Sequence, residues 1–198
     1  DFFKDSKIKF PAYEPWISSD DQKIVKKALS QSMLTFGPQL EKFETDFCKY
    51  TKAKYAVAVS NCTAALHLSL KALGIKKDDE VIIPDLTFVA DANAVLACNA
   101  KPIVTDINKE NFFLSISNVK KNITKKTKAI IPVHIYGQVC NIEEILDVAR
   151  DNDLKVIEDC AHAVGTFHNS KHVGNLGKTG CFSFYPTKNI TTAEGGMV

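Results

Sequence analysis

From Tyr55 to Asp159 the sequence alternates between short apolar runs and longer stretches with apolar residues every three or four positions. The short runs are Tyr55–Val59, Glu80–Pro84, Lys101–Ile107, Ala129–His134 and Leu154–Asp159. The longer ones place Leu66, Ser69, Leu70 and Leu73 on one face, then Ala90, Ala94 and Leu96, then Ile116, Val119 and Ile123, then Ile142, Ile145, Leu146 and Ala149. Runs apolar throughout are strands buried on both faces, and a helix between consecutive strands carries the chain back across the sheet. The pattern predicts an α/β fold: a three-layer αβα sandwich around a mostly parallel sheet.

Functional groups in such sheets gather beyond the carboxyl ends of the strands. Thr63, Phe88, His134, Asp159 and Lys188 all occupy that end. Around Lys188, Cys181–Tyr185 reads as a buried strand that Pro186 stops, because proline has no N–H for the ladder. The lysine then sits on a turn among Ser and Thr hydroxyls, where its amine can attack a carbonyl. A solvated loop lysine is the plain alternative. Met197-Val198 begins another strand.

Three further sites have a chemical and a structural reading. The strand ending at Val59 runs through Ser60-Asn61-Cys62-Thr63 into a helix, so free N–H groups and the helix dipole face one spot that suits an anion. A simple N-cap by Ser60 or Asn61 satisfies the same sequence. Asp159 ends a buried strand and needs a partner, whether a functional cation, a structural salt bridge or the next helix as its cap. Phe88, in the Asp85–Phe88 opening of a helix, is either core or a flat surface for a ring to stack on.

Composition narrows the function. Of 198 residues, 45% are hydrophobic and 24% charged, enough for a sizeable core. A net charge of +2 gives no electrostatic case for nucleic acid. The six cysteines, Cys48, Cys62, Cys98, Cys140, Cys160 and Cys181, form no C-x-x-C pair, so no metal is expected and a reducing, cytoplasmic compartment is. No run of ~18 apolar residues is present, so no membrane partner is expected, and no signal peptide is recognised. Three Asn-x-Thr sequons, at Asn61, Asn122 and Asn189, are read as coincidence.

The segment Phe182-Ser183-Phe184 with Lys188, Ile190, Thr191 and Glu194-Gly195-Gly196 resembles the lysine segment of nucleotide-sugar aminotransferases of the DegT/StrS type, which are fold type I enzymes using pyridoxal 5′-phosphate (PLP). Val156-Ile157-Glu158-Asp159-Cys160-Ala161-His162-Ala163-Val164-Gly165 resembles a second motif of that family, and Leu34–Glu44 its opening segment. The resemblance implies that Lys188 forms the Schiff base with PLP and is catalytic. It implies cofactor binding by Cys62 and Thr63 at the phosphate, Phe88 against the ring, Asp159 at the pyridine nitrogen and His162 towards the phenolic oxygen, with Ser183 also in register. The three-residue spacing predicts His162 one helical turn after Asp159, on the same side. Histidine at this position occurs in some members acting at C4 of the sugar.

The implied reaction moves an amino group from an amino acid, glutamate being the expected donor, to a keto group of a nucleotide-linked deoxysugar. A sugar dehydratase of the same family is an alternative, although those carry His where this chain has Lys188; a non-catalytic PLP-binding or regulatory module is another. The family implies a homodimer. Residues 1–50 read as a helical lead-in and 51–198 as the PLP-binding large domain. The chain stops within an apolar strand, so a small C-terminal domain is expected to be absent. The apolar faces Ile24–Leu29 and Leu40–Phe47 are assigned to an interface or to that domain.

Overall fold

The computed structural model describes residues 13–198; residues 1–12 of the expected lead-in lie outside that range. Helix α1 (Ser19–Leu29) begins with a capping box: Asp21 N–H donates to the Ser18 hydroxyl and Ser18 N–H to the Asp21 carboxylate. It buries no residue, and Ile24, Val25 and Leu29 are exposed. Helix α2 (Pro38–Thr51) starts on proline, whose missing N–H costs nothing at a first turn, and ends at Lys52 in the left-handed region. Its apolar face was expected outside the core, but it lies inside. Phe43 meets Phe184 edge-on at 5.2 Å and Phe47 meets Phe182 at 5.0 Å, because the strand bearing those phenylalanines needs a cover.

The chain then alternates as the pattern predicts: β1 (Ala58–Val59), α3 (Cys62–Ala72), β2 (Glu80–Pro84), α4 (Ala90–Ala97), β3 (Lys101–Thr105), α5 (Ile116–Asn122), β4 (Thr127–Ile130), α6 (Ile142–Asp151) and β5 (Lys155–Asp159). A two-stranded hairpin, β6 (Phe167–His168) and β7 (Lys171–His172), precedes β8 (Thr179–Ser183) and β9 (Gly196–Met197). The seven-stranded sheet has the order β1-β9-β8-β5-β4-β2-β3. Neighbours from β3 to β8 run parallel, while β9 runs antiparallel to both β8 and β1.

Period-two alternation divides each central strand between two cores. Val81 and Ile83 of β2, Ala129 and Ile131 around β4, and Ile157 of β5 pack beneath α3 and α4. Ile82, Ile130 and Val156 face α5 and α6. The three layers follow directly.

Several boundaries moved. The first strand shrinks from Tyr55–Val59 to Ala58–Val59, although Val57 and Val198 still exchange both backbone hydrogen bonds. The strand expected at Ala129–His134 starts earlier and breaks at Pro132, which cannot donate, before one bridge between Val133 and Asp159. Asp85–Phe88 precedes α4 instead of opening it. No helix follows Asp159. Ala163 N–H bonds to Cys160 O and Thr166 N–H to Ala163 O, so consecutive turns replace the predicted helical turn to His162. All six cysteines are free. No helix among the described residues is long and apolar enough to cross a membrane.

Candidate active site

The loop after β8 returns to the start of α3. Phe184 N–H donates to Gly195 O, and β9 then lies along β8. A Cβ on Gly196 would meet the Asn61 carbonyl carbon at 2.5 Å and Cys62 N at 2.8 Å, so glycine is required for this approach. Residues 182–197 are thereby pinned against the N-terminus of α3. Asn61 caps that helix, its side chain accepting from Ala64 N–H at 2.8 Å. The backbone N–H groups of Cys62 and Thr63 have no intrahelical partner, because they open the helix. The N-cap and anion readings are therefore compatible.

Lys188 rides on a turn closed by its own N–H to Tyr185 O at 2.9 Å. It is half-buried. Burial holds its ammonium pKa below the usual value, against the opposing fields of Asp159 and Cys62. Asp159 is 5% exposed, accepts one hydrogen bond from Ala161 N–H at 2.8 Å, and has no salt bridge among the described residues. Burial raises its carboxyl pKa, while the Ala161 N–H, Lys188 and His134 oppose the shift. Cys62 is pushed well up by burial and then by Asp159, so it carries a thiol.

His162 faces Lys188, whose charge, after burial, lowers the imidazole pKa. Tyr136 N–H donates to His162 Nδ1 at 3.2 Å, and its ring stacks on the imidazole at 5.5 Å and 14°. Nδ1 is thus an acceptor, and in the neutral ring the hydrogen sits on Nε2. Tyr136 adopts φ 52°, in the left-handed region, to make this contact.

Cys62, Asp159, His162 and Lys188 therefore share one electrostatic neighbourhood, with Thr63 next along α3. Ser183 is buried beside them in register with Gly196, its hydroxyl accepting from Tyr185 N–H. Phe88 stands apart: its ring is 74% exposed and lies in none of the packed cores. His134, grouped with these residues in sequence, is fully buried and turns its side chain away from Lys188 towards Glu158, touching Asp159 only through its backbone N–H and its field. Its Nδ1 accepts from Cys140 N–H and its Nε2 donates to Glu158.

Two residues went unread in the sequence. Asp91 lies at positions i, i+3 and i+4 with buried Ala94 and Val95 in the helix ADANAVLA, whose other polar residue, Asn93, is exposed, and an acid on that apolar stripe is a usable signal. Tyr136 gave none, since its left-handed backbone has no pattern in a Tyr-Gly pair. His134, Glu158 and Cys160 have the spacing of a metal cluster. Four donors, His134 Nε2 and the N–H groups of Gly174, Leu176 and Gly177, already occupy the Glu158 carboxylate.

The pattern of groups has relatives. GDP-perosamine synthase of Vibrio cholerae is 43% identical over 189 residues, covering 95% of this chain and 52% of its own length. The spore coat polysaccharide biosynthesis protein SpsC of Bacillus subtilis is 42% identical over 184 residues, covering 93% and 47%. The aminotransferase PseC of Helicobacter pylori, involved in the biosynthesis of pseudoaminic acid, superposes with a TM-score of 0.90 at 30% identity, over 95% of this chain and 51% of that one. The chain spans about half the length of the curated relatives it matches. A family model matches residues 15–198, and the chain belongs to the DegT/DnrJ/EryC1/StrS aminotransferase family.

Proposed function

We propose that this chain carries the cofactor site of a PLP-dependent aminotransferase that moves an amino group from an amino acid, with glutamate as donor, to a keto group of a nucleotide-linked deoxysugar. The observation that carries the reading is a half-buried lysine whose charge reaches a buried aspartate that has one hydrogen-bond donor and, among the described residues, no salt bridge. The residues fit PLP. The free N–H groups at the start of α3 suit its phosphate, and the unpaired Asp159 carboxylate suits a protonated pyridine nitrogen. Perosamine synthase and PseC support an amino-sugar product.

PLP supplies an electrophilic carbonyl carbon and an electron-accepting ring. Burial makes the Lys188 ammonium easier to deprotonate, so its amine would be the nucleophile and the proton carrier at the substrate carbon. Asp159 would hold a hydrogen on the pyridine nitrogen, which would strengthen the ring as an electron acceptor. His162, with Nδ1 occupied by Tyr136, would offer Nε2–H to the phenolic oxygen. Cys62 and Thr63 would hold the phosphate through their N–H groups, Ser183 would add a hydroxyl, and Phe88, exposed here, would have to turn inward to cover a ring face.

We place the enzyme in the cytoplasm, whose reducing medium suits six free cysteines, and as a homodimer, since Ile24, Val25, Leu29 and Phe88 expose apolar surface that a second copy can bury. Light scattering tests the dimer. The chemistry is tested by adding PLP and looking for a visible band that borohydride removes, with the added mass on Lys188. Lys188→Ala is expected to abolish it. Loss of the band on adding an amino acid separates the aminotransferase from a binding module, and Lys188 itself weighs against a dehydratase. A reducible band persisting in Lys188→Ala overturns the nucleophile assignment.

A further inference from the structure

Asp91 is completely buried on the inner stripe of α4. Its Oδ2 accepts from the Thr87 hydroxyl at 2.6 Å, and its Oδ1 has no hydrogen-bond partner among the described residues. A buried acceptor without a donor is costly, and a native fold that keeps one calls for an explanation. The groups whose fields meet here are Asp159 from β5, Cys62 from α3 and Cys181 from β8. Both cysteines are thiols, so neither supplies a cation; the Cys181 sulfur lies 3.3 Å from the Ser69 hydroxyl. Lys188 is the cation beside Asp159, and Asp91 forms no salt bridge among the described residues.

Two neighbouring carboxylates in a buried site do not both stay ionised without a cation between them. Their partners decide which one takes the proton. Asp159 has the Ala161 N–H and the charge of Lys188; Asp91 has one neutral hydroxyl. We propose that Asp91 is a positioning residue that holds the one proton this carboxyl pair retains, leaving Asp159 as the ionised member facing the cofactor. The role towards the cofactor rests on the function proposed above; the proton assignment does not.

Protonation removes the charge from a carboxyl whose one partner is a neutral hydroxyl, and a neutral Oδ1 without a partner costs less to bury than an anionic one. It also removes a repelling charge near Asp159. Burial first, and the Asp159 charge second, push the Asp91 acid well above the carboxylate range, with Thr87 opposing. A neutral carboxylic acid kept as a donor near a catalytic group is a known device of buried sites.

Infrared spectroscopy of the protein without PLP tests the proton directly. At neutral pH we expect the C=O stretch of a neutral carboxylic acid, shifted in heavy water, absent from Asp91→Asn and retained in Asp159→Asn. A missing band in the wild type, or one lost in Asp159→Asn and kept in Asp91→Asn, overturns the proposal. Carboxyl carbon NMR of aspartate-labelled wild-type protein reads the same proton if Asp91→Asn does not fold. With PLP added, Asp91→Leu is expected to weaken binding about tenfold by taking the polar partner from Thr87, and Asp91→Asn to restore it. Equal weakening by Asn and Leu contradicts the role of a neutral polar group at this position. Failure of PLP to bind any form sinks the proposed function and leaves the infrared result to decide the proton.

Discussion

Glu158 and Asp159 are chain neighbours on β5, both buried, and they live in opposite surroundings. The strand turns them to opposite faces. Glu158 receives hydrogen bonds from His134 and from the N–H groups of Gly174, Leu176 and Gly177. Burial works against its ionisation, but His134, Gly177 and Gly174 outweigh it and hold its pKa below the ordinary value. Asp159 has one N–H donor and, among the described residues, no salt bridge, and burial wins. The same chemical group is a saturated structural anion on one face and an unsaturated one on the other. What separates them is the number of donors the fold supplies; their burial is alike. An incompletely satisfied charge is what a ligand-binding site offers, and a completely satisfied one is what a core tolerates.

The sharpest way to break this comparison is Glu158→Ala. It strips the partner from His134 and from three backbone N–H groups, and about 3–5 kcal/mol of stability is expected to go, read from the urea midpoint. Because the folded pKa of Glu158 is depressed, its contribution is present above the unfolded carboxylate pKa and is lost as pH falls through the folded value. Acid titration of stability is expected to flatten in Glu158→Gln. Loss of less than 1 kcal/mol in Glu158→Ala erases the distinction (about one ordinary hydrogen bond).

Asp159→Asn is the reverse case. Folding stability is expected to hold, while turnover of the PLP-loaded enzyme falls about 10²–10³-fold, or about 2.7–4 kcal/mol on the barrier. Stopped-flow or steady-state rates check this, and a stability loss as large as that of Glu158→Ala contradicts it. A smaller effect is expected from Asp91→Asn on stability against pH. A carboxyl with a raised folded pKa contributes stability below its unfolded pKa and loses it as pH rises through the folded one. The variant is expected to gain on the wild type over that rise. The smallest effect belongs to Tyr136→Gly, which relieves a left-handed backbone and is expected to stabilise by about 0.5–1 kcal/mol. It also removes the ring over His162, so the imidazole pKa, lowered by burial, is expected to return towards its ordinary value by NMR.

The strands β2 and β5 were legible because apolar runs buried on both faces leave few alternatives. Helix α6 was legible from Ile142, Ile145 and Ala149. Segments governed by distant partners were not. The residues after Asp159 look helical by spacing, yet Cys160 N–H is taken by Cys181 O and the chain turns instead. Three of the four donors to Glu158 lie 16 to 19 residues further on and are backbone N–H groups, which leave no mark on side-chain pattern. The β6–β7 hairpin was hidden too, because its turn residues Asn169 and Ser170 both take positive φ and Ser is a weak signal for it. Among the site residues, motif resemblance nominated Lys188, Asp159 and His162; spacing alone left each with a bland reading.

The pairing of Ala58 with Met197 is expected to make assembly of the site a late event in folding. Ends of a long loop meet slowly, since closure entropy is lost before the contact repays it. The central parallel strands can condense first, whereas the groups at Cys62 and Lys188 come together when the last strand slots between β1 and β8. A ligand that spans them binds the finished sheet and ignores its precursors, so by mass action it acts as a latch on completed folding. Refolding kinetics with and without PLP would then differ mainly in the rate of re-opening, a quantity set by the concentration of PLP as much as by the chain.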